Sequence, residues 1–255
     1  MEHIKFEVRD HVGTITLNRP EKLNAVTPEM SDALVAHVTE WNRRDDIRVL
    51  VLVAEGAKAF CAGSDVKELD KYKTPWEFRN RPDYCDAIRS LVKPVVCAIN
   101  GYALGGGLET AMSCDIRIAA DTAVLGSPEV KLGWIGGGGM AYMLAHSVGA
   151  SNASMMLMTG DFISAQQALQ WGLVSELHPL ADLHARAQQI ATTIASRPPI
   201  AVETAKANMR AAYTLPLEAA IQYERDLQTI CFATEDAAEG RTAFKERRPA
   251  VFKRR

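Results

Sequence analysis

Apolar and polar residues alternate over positions 3–9 and again over 14–18, on either side of Asp10-His11-Val12-Gly13. A period-two pattern around such a polar break predicts a β-hairpin. Thr27-Pro28-Glu29 then offers a capping hydroxyl followed by a proline whose φ suits a first helical turn. Met30, Leu34, Val38 and Trp41 recur at helical spacing and form one apolar face. Residues 49–54 are a continuous, valine-rich apolar run, as a strand covered on both faces requires. The segment P-V-V-C-A-I-N over 94–100 repeats that pattern, and 115–120 predicts a third short strand. Helices are expected between them at 83–92 and 106–114. Strands alternating with helices imply a layered α/β core containing parallel strand pairs.

Beyond Gly137 the texture changes. Residues 140–148, 150–158 and 164–171 read as short helices punctuated by Gly149, Gly160 and Gly172, and 173–177 as a strand returning to the sheet. From 180 onward helix follows helix, broken at Pro198-Pro199 and Pro216. The expected division is an α/β core over residues 1–190 and a helical region over 191–255.

Composition narrows the function classes. Lys and Arg number 29 against 31 Asp and Glu, a formal net charge of −2, so a broadly basic nucleic-acid surface is not indicated. No apolar run approaches the roughly 20 residues that span a bilayer, and the opening Met1-Glu2-His3-Ile4-Lys5 has the features of neither a signal nor a transit peptide. The five cysteines include no C-x-x-C and read as reduced, small apolar residues of a cytoplasmic protein. The six histidines show no metal-ligand spacing, and no G-x-S-x-G nucleophile elbow is present.

Clustering among the 17 glycines is the remaining clue. Cys61-Ala62-Gly63-Ser64-Asp65, Gly105-Gly106-Gly107 and Gly136 to Gly139 are the three clusters, and none matches a phosphate-binding loop. The first two stand where a strand gives way to a helix, over 65–69 and from 106. Backbone N–H groups at a helix start are unpaired and sit at the positive end of its dipole. Such donors suit an oxygen that gains negative charge in a reaction, although glycines also serve plain turns. Glu109 follows in the same first turn as Gly106, on an apolar helix where a carboxylate is costly unless paired or working. Glu129, in S-P-E-V-K-L-G over 127–133, has a similarly apolar setting, with Lys131 as a candidate ion-pair partner.

Several longer strings carry a family resemblance: A-F-C-A-G-S-D-V-K-E-L over 59–69, K-P-V-V-C-A-I-N-G-Y-A-L-G-G-G-L-E over 93–109, and S-P-E-V-K-L-G over 127–133. With N-R-P-E-K-L-N-A over 18–25 and A-F-K-E-R-R-P over 243–249, they cover nearly the whole chain in order. The sequence resembles the crotonase superfamily, the enoyl-CoA hydratase/isomerase family. The resemblance implies an α/β spiral of ββα units with a helical C-terminal trimerisation region, and hence a homotrimer or dimer of trimers. It implies a lyase acting on an acyl-CoA thioester, as in fatty acid metabolism. No metal or redox cofactor is expected, coenzyme A being part of the substrate, and neither nucleic acid nor membrane is an expected partner.

By resemblance, the N–H groups of Ser64 and Gly106 form the oxyanion hole for the thioester carbonyl. Glu109 and Glu129 orient one water, take its proton as it adds to the β-carbon, and deliver a proton to the α-carbon. Lys22, Leu23, Ala25, Ala62, Asp65 and Val66 line the CoA path, while Phe244 and Arg247 approach the CoA from the C-terminal motif. Trp134 and Gly136 depart from the family's common pattern beside Glu129, and Trp134 is expected to shape the acyl pocket. The span 71–84, K-Y-K-T-P-W-E-F-R-N-R-P-D-Y, mixes aromatics and cations. It reads as a solvated surface loop, with an aromatic or polar acyl pocket as the alternative. Hydration of a 2-enoyl-CoA is the expected reaction. The alternatives are Δ3,Δ2-enoyl-CoA isomerisation and a hydratase/lyase reaction on an aromatic or polar acyl-CoA. A non-catalytic or RNA-binding member of the fold would lack the acids and carry a basic face.

Overall fold

The computed structural model describes residues 3–255; Met1 and Glu2, part of the opening segment read above for targeting signals, lie outside the described residues. The N-terminal alternation folds into β1 (Ile4–Arg9) and β2 (Val12–Leu17), an antiparallel pair with Arg9 opposite Val12. Asp10 and His11 both adopt positive φ, 49° and 65°, the two-residue turn whose twist matches that of the strands it joins. Next, α1 (Pro28–Trp41) starts at Thr27, whose Oγ1 accepts from Met30 N–H, and buries Met30, Leu34, Val38 and Trp41.

The chain then winds through repeated units. The first comprises β3 (Val49–Ala54), β4 (Ala59–Cys61), α2 (Val66–Leu69), α3 (Pro75–Arg79) and α4 (Tyr84–Arg89). The second has β5 (Val95–Ile99), β6 (Tyr102–Leu104) and α5 (Gly106–Met112). The third has β7 (Ile116–Ala120), β8 (Val124–Gly126), a 3₁₀ turn (Pro128–Leu132), α6 (Met140–Val148) and α7 (Ala150–Thr159). Short elements β9 (Phe162–Ser164), α8 (Ala165–Gln170) and β10 (Glu176–His178) follow.

One sheet has the order β1-β2-β3-β5-β7-β10 and the other β4-β6-β8-β9, so every turn of the spiral contributes a strand to each. From β2 to β10 the neighbours in the larger sheet are parallel, which obliges each connection to cross over through helices. Both β3 and β5 are buried along their whole length, explaining their unbroken apolar sequence.

Most of these elements match the sequence pattern to within two residues at each end, but two depart further. The helix expected over 83–92 ends at Arg89, because Val92 N–H turns aside to Asn42 Oδ1 and Pro94 disfavours helix before it. The strand expected over 173–177 begins at Glu176, because Leu173 and Val174 first donate to Ala168 O and close α8.

The helical end comprises α9 (Leu180–Ala195), α10 (Pro199–Ala211), α11 (Leu217–Phe232) and α12 (Glu235–Glu246). The buried stripe of α9, Leu183, Ala187, Ala191 and Ala195, packs on the large sheet. In contrast, α11 buries none of its residues. Among the described residues no helix is long and apolar enough to cross a membrane.

Candidate active site

Segment 18–26 is stitched to segment 59–65. Asn24, fully buried with φ 54°, donates from Nδ2 to the carbonyls of Glu55 and Ala59 and accepts Arg19 N–H. Arg19 donates to Asp65 Oδ2 at 2.9 Å, and Ala62 N–H donates to Leu23 O. Burial works against the Asp65 charge, but the hydrogen bonds from Arg19 and Lys67 N–H outweigh it and lower the Asp65 pKa. The carboxylate therefore stays ionised as the α2 cap.

That stitching also orients Ser64. Val26 N–H donates to Gly63 O and Asp65 N–H donates to Val26 O, a parallel bridge that uses the groups flanking Ser64. Gly63 C=O and Ser64 N–H belong to one trans peptide and point in opposite directions, so Ser64 N–H faces away from Val26. There the second glycine cluster meets it: a Cβ on Gly63 would lie 3.0 Å from Gly106 N. Gly105 has φ 55° and ψ −127°, a conformation reserved for glycine, and a Cβ on it would come within 3.0 Å of Glu129 Oε1. Neither Ser64 N–H nor Gly106 N–H has a protein acceptor among the described residues. The two glycine corners expected from sequence are thus brought together, each with an unused donor.

Both candidate glutamates face the same cavity, of about 210 Å³, that Ser64 and Gly106 line. Glu109 is 5% exposed and Glu129 9%. Each is anchored through one oxygen. Glu109 Oε1 accepts from Gly138 N–H at 2.7 Å and Met140 N–H at 3.1 Å, and Glu129 Oε2 accepts from Ser127 Oγ at 2.8 Å. Glu109 Oε2 and Glu129 Oε1 have no donor among the described residues. Burial raises the pKa of Glu109 against the opposing effect of Gly138 N–H, and the nearby Glu129 raises it further. Such an acid holds a proton more readily than a solvated glutamate. Cys61 is no rival nucleophile, since burial pushes its thiol up to about 12.

Lys131 does not pair with Glu129, as the sequence suggested it would; its ammonium reaches Asp161 Oδ1 at 2.9 Å, outside the cavity. The 3₁₀ turn accounts for this, because it points the two side chains to different faces. The span 71–84 is likewise only partly a surface loop. Trp76 is 70% exposed, but Phe78, Arg81, Asp83 and Tyr84 line the cavity. The Arg81 guanidinium lies 4.1 Å from the centre of the Phe78 ring and 3.7 Å from Asp83 Oδ2.

Of the other residues singled out in the sequence, Ala62, Val66, Trp134 and Gly136 line the cavity. Lys22, Leu23, Ala25 and Asp65 form the stitched segments beside it without lining it. Phe244, 86% exposed on α12, and Arg247, which ends that helix at φ 54°, are not part of its lining. Sequence reasoning missed Gly138, which holds Glu109, and Arg89, which donates to Gly138 O and to Ser113 Oγ. The glycine run and a cation on a neighbouring predicted helix were visible, but their meeting across 49 residues was not. A larger cavity of about 480 Å³, between α6, α9 and α10, has Asp115 as its one acid, already paired with Lys206. Among the described residues no group of three or more His, Cys, Asp or Glu could hold a metal ion.

Known proteins resemble the chain over nearly its whole length. A family model described as enoyl-CoA hydratase/isomerase matches residues 7–255. The chain is 40% identical to the mitochondrial enoyl-CoA hydratase of Pongo abelii, over 95% of this chain and 83% of that one. It is 38% identical to the (E)-benzylidenesuccinyl-CoA hydratase of Thauera aromatica, over 98% of each. The crystal structure of an enoyl-CoA hydratase from Bacillus anthracis superimposes with a TM-score of 0.95 at 36% identity, over 100% of both chains.

Proposed function

The chain belongs to the enoyl-CoA hydratase/isomerase family of the crotonase superfamily, and on that premise we propose that it adds water across the double bond of a 2-enoyl-CoA. The observation that carries this reading is the pair of buried glutamates, each anchored by one oxygen and offering the other. Water held between Glu109 Oε2 and Glu129 Oε1 loses a proton to the pair as its oxygen bonds to the β-carbon. The π electrons move toward the thioester oxygen, where the N–H groups of Ser64 and Gly106 receive the charge. The enolate then collapses, and the pair returns a proton to the α-carbon. Each backbone donor of this type is worth about 3 kcal/mol of barrier. The elevated proton affinity of Glu109 suits it to hold the transferred proton.

Lys22, Leu23, Ala25 and Asp65, beside Ala62 and Val66, mark the route of the CoA moiety. Phe244 and Arg247 lie outside the cavity lining, and a neighbouring copy that brings them to that route would complete the CoA site, so a homotrimer or dimer of trimers accompanies the reading. Exposed Met209, Leu217, Ile230 and Phe232 on α10 and α11 support it. Light scattering gives the mass directly, and a monomer would overturn the trimer. A second reading concerns the acyl group. Phe78, Trp134 and Arg81 around the cavity favour an aromatic or polar acyl end over a plain straight chain.

The test is an enoyl-CoA panel assayed in ¹⁸O-labelled water with wild type, Glu109→Gln and Glu129→Gln. Hydration places solvent oxygen in the product, and isomerisation places none. Full activity in either variant would overturn the two-carboxylate mechanism.

A further inference from the structure

Tyr84 opens α4, and its ring is 6% exposed. Its hydroxyl is 3.0 Å from Ser64 Oγ and lies against Gly106, where an added Cβ would collide with it. Both hydroxyl residues line the cavity. Two hydroxyls carry two protons, and the bond between them uses one. No other hydrogen bond of either side chain occurs among the described residues, so one O–H of the pair is free to donate into the cavity that both residues line. A substrate that fills the cavity displaces water from such a donor, and a ligand oxygen must then accept its hydrogen bond. Burial also raises the Tyr84 phenol well above its ordinary pKa, with the neighbouring Cys85 next in effect, so the proton is retained at any working pH.

We propose that Tyr84 is a catalytic residue, its hydroxyl donating a third hydrogen bond to the thioester oxygen beside the N–H groups of Ser64 and Gly106. This rests on the hydratase reading above. The phenol is the more acidic of the two hydroxyls and so gives its proton to the strongest acceptor present. When that acceptor is the enolate oxygen, Ser64 Oγ–H turns to donate into Tyr84 Oη. The resulting chain, Ser64 to Tyr84 to thioester oxygen, strengthens each bond in it. No proton is transferred; the pair reorients as charge develops. The glycine at 106 thereby acquires a second reason, since any side chain there would displace the phenol.

The test uses a chromophoric enoyl-CoA, 4-dimethylaminocinnamoyl-CoA, whose absorption moves to the red as its carbonyl is polarised. Wild type should bind it with a red shift. Tyr84→Phe should lose part of that shift and about 10²-fold of kcat, with KM changed less than about threefold. Ser64→Ala keeps the backbone donor and should lose less than Tyr84→Phe on both readouts. A Tyr84→Phe enzyme with the full red shift and near wild-type kcat would overturn the proposal, leaving Tyr84 a packing residue. If that variant does not fold, 3-fluorotyrosine at position 84 preserves shape while strengthening the donor. The red shift should then increase, and an unchanged spectrum would overturn the proposal. Wild type that hydrates no enoyl-CoA and shifts no spectrum would overturn the hydratase reading itself, a result distinct from an unaffected Tyr84→Phe.

Discussion

The cavity lining divides into two parts built from different material. Around Ser64, Gly106, Glu109 and Glu129 it consists of main chain and buried carboxylates, held by hydrogen bonds that span distant segments. Around Phe78, Leu132, Trp134 and Ile135 it consists of side chains on α3, the 3₁₀ turn and the segment that follows the turn, all four of them exposed. In the first part many constraints act on few atoms. The second has few constraints and large, replaceable groups. Chemistry therefore belongs with the first and choice of acyl group with the second.

Substitutions can break this division or sharpen it. Removing either acid should cost most, about 10³-fold in kcat for Glu109→Gln or Glu129→Gln, measured on whichever enoyl-CoA is turned over fastest. Arg89→Met leaves both acids in place but frees Gly138, and so should lower kcat about tenfold with little change in KM. An unaltered kcat there would show that the glycine run holds Glu109 without help. Trp134→Ala and Arg81→Met should each shift the ratio of kcat/KM between aromatic and short aliphatic enoyl-CoAs by about tenfold. A uniform loss across the panel would instead place these residues with the first part.

The smallest effect expected is on stability. The raised Glu109 pKa means that the folded protein binds this proton more tightly than the unfolded chain. Stability is then lost as pH rises from the ordinary glutamate range through the folded pKa, and remains lower above it. Glu109→Gln keeps acceptors for Gly138 and Met140 without the charge. Its Tm should exceed that of wild type at neutral pH, with the gap closing in acid. An inactive but more stable variant would separate function from folding at this residue.

The parallel core was legible because β3 and β5 are buried on both faces, and so their sequences have almost no freedom to be polar. Glu109 and Glu129 could be singled out for the opposite reason, as charges in apolar surroundings. Side-chain partnerships across long separations were not legible. Lys131 looked like a partner of Glu129 because it is two residues away, yet the turn between them sends it to Asp161. Tyr84 looked like part of a solvated loop because its neighbours are polar, whereas the fold turns that residue inward from an otherwise exposed stretch. A local pattern reports burial of an element, but not which distant atom will meet a given side chain.

The unused donors at 64 and 106 belong to the peptide backbone, and no codon change except one to proline can delete them directly. Substitution acts on side chains, so mutation can exchange the acids and reshape the acyl end while these two N–H groups persist as long as the fold does. A lineage built on this scaffold can therefore explore new reactions one carboxylate at a time, without first losing its means of polarising the substrate.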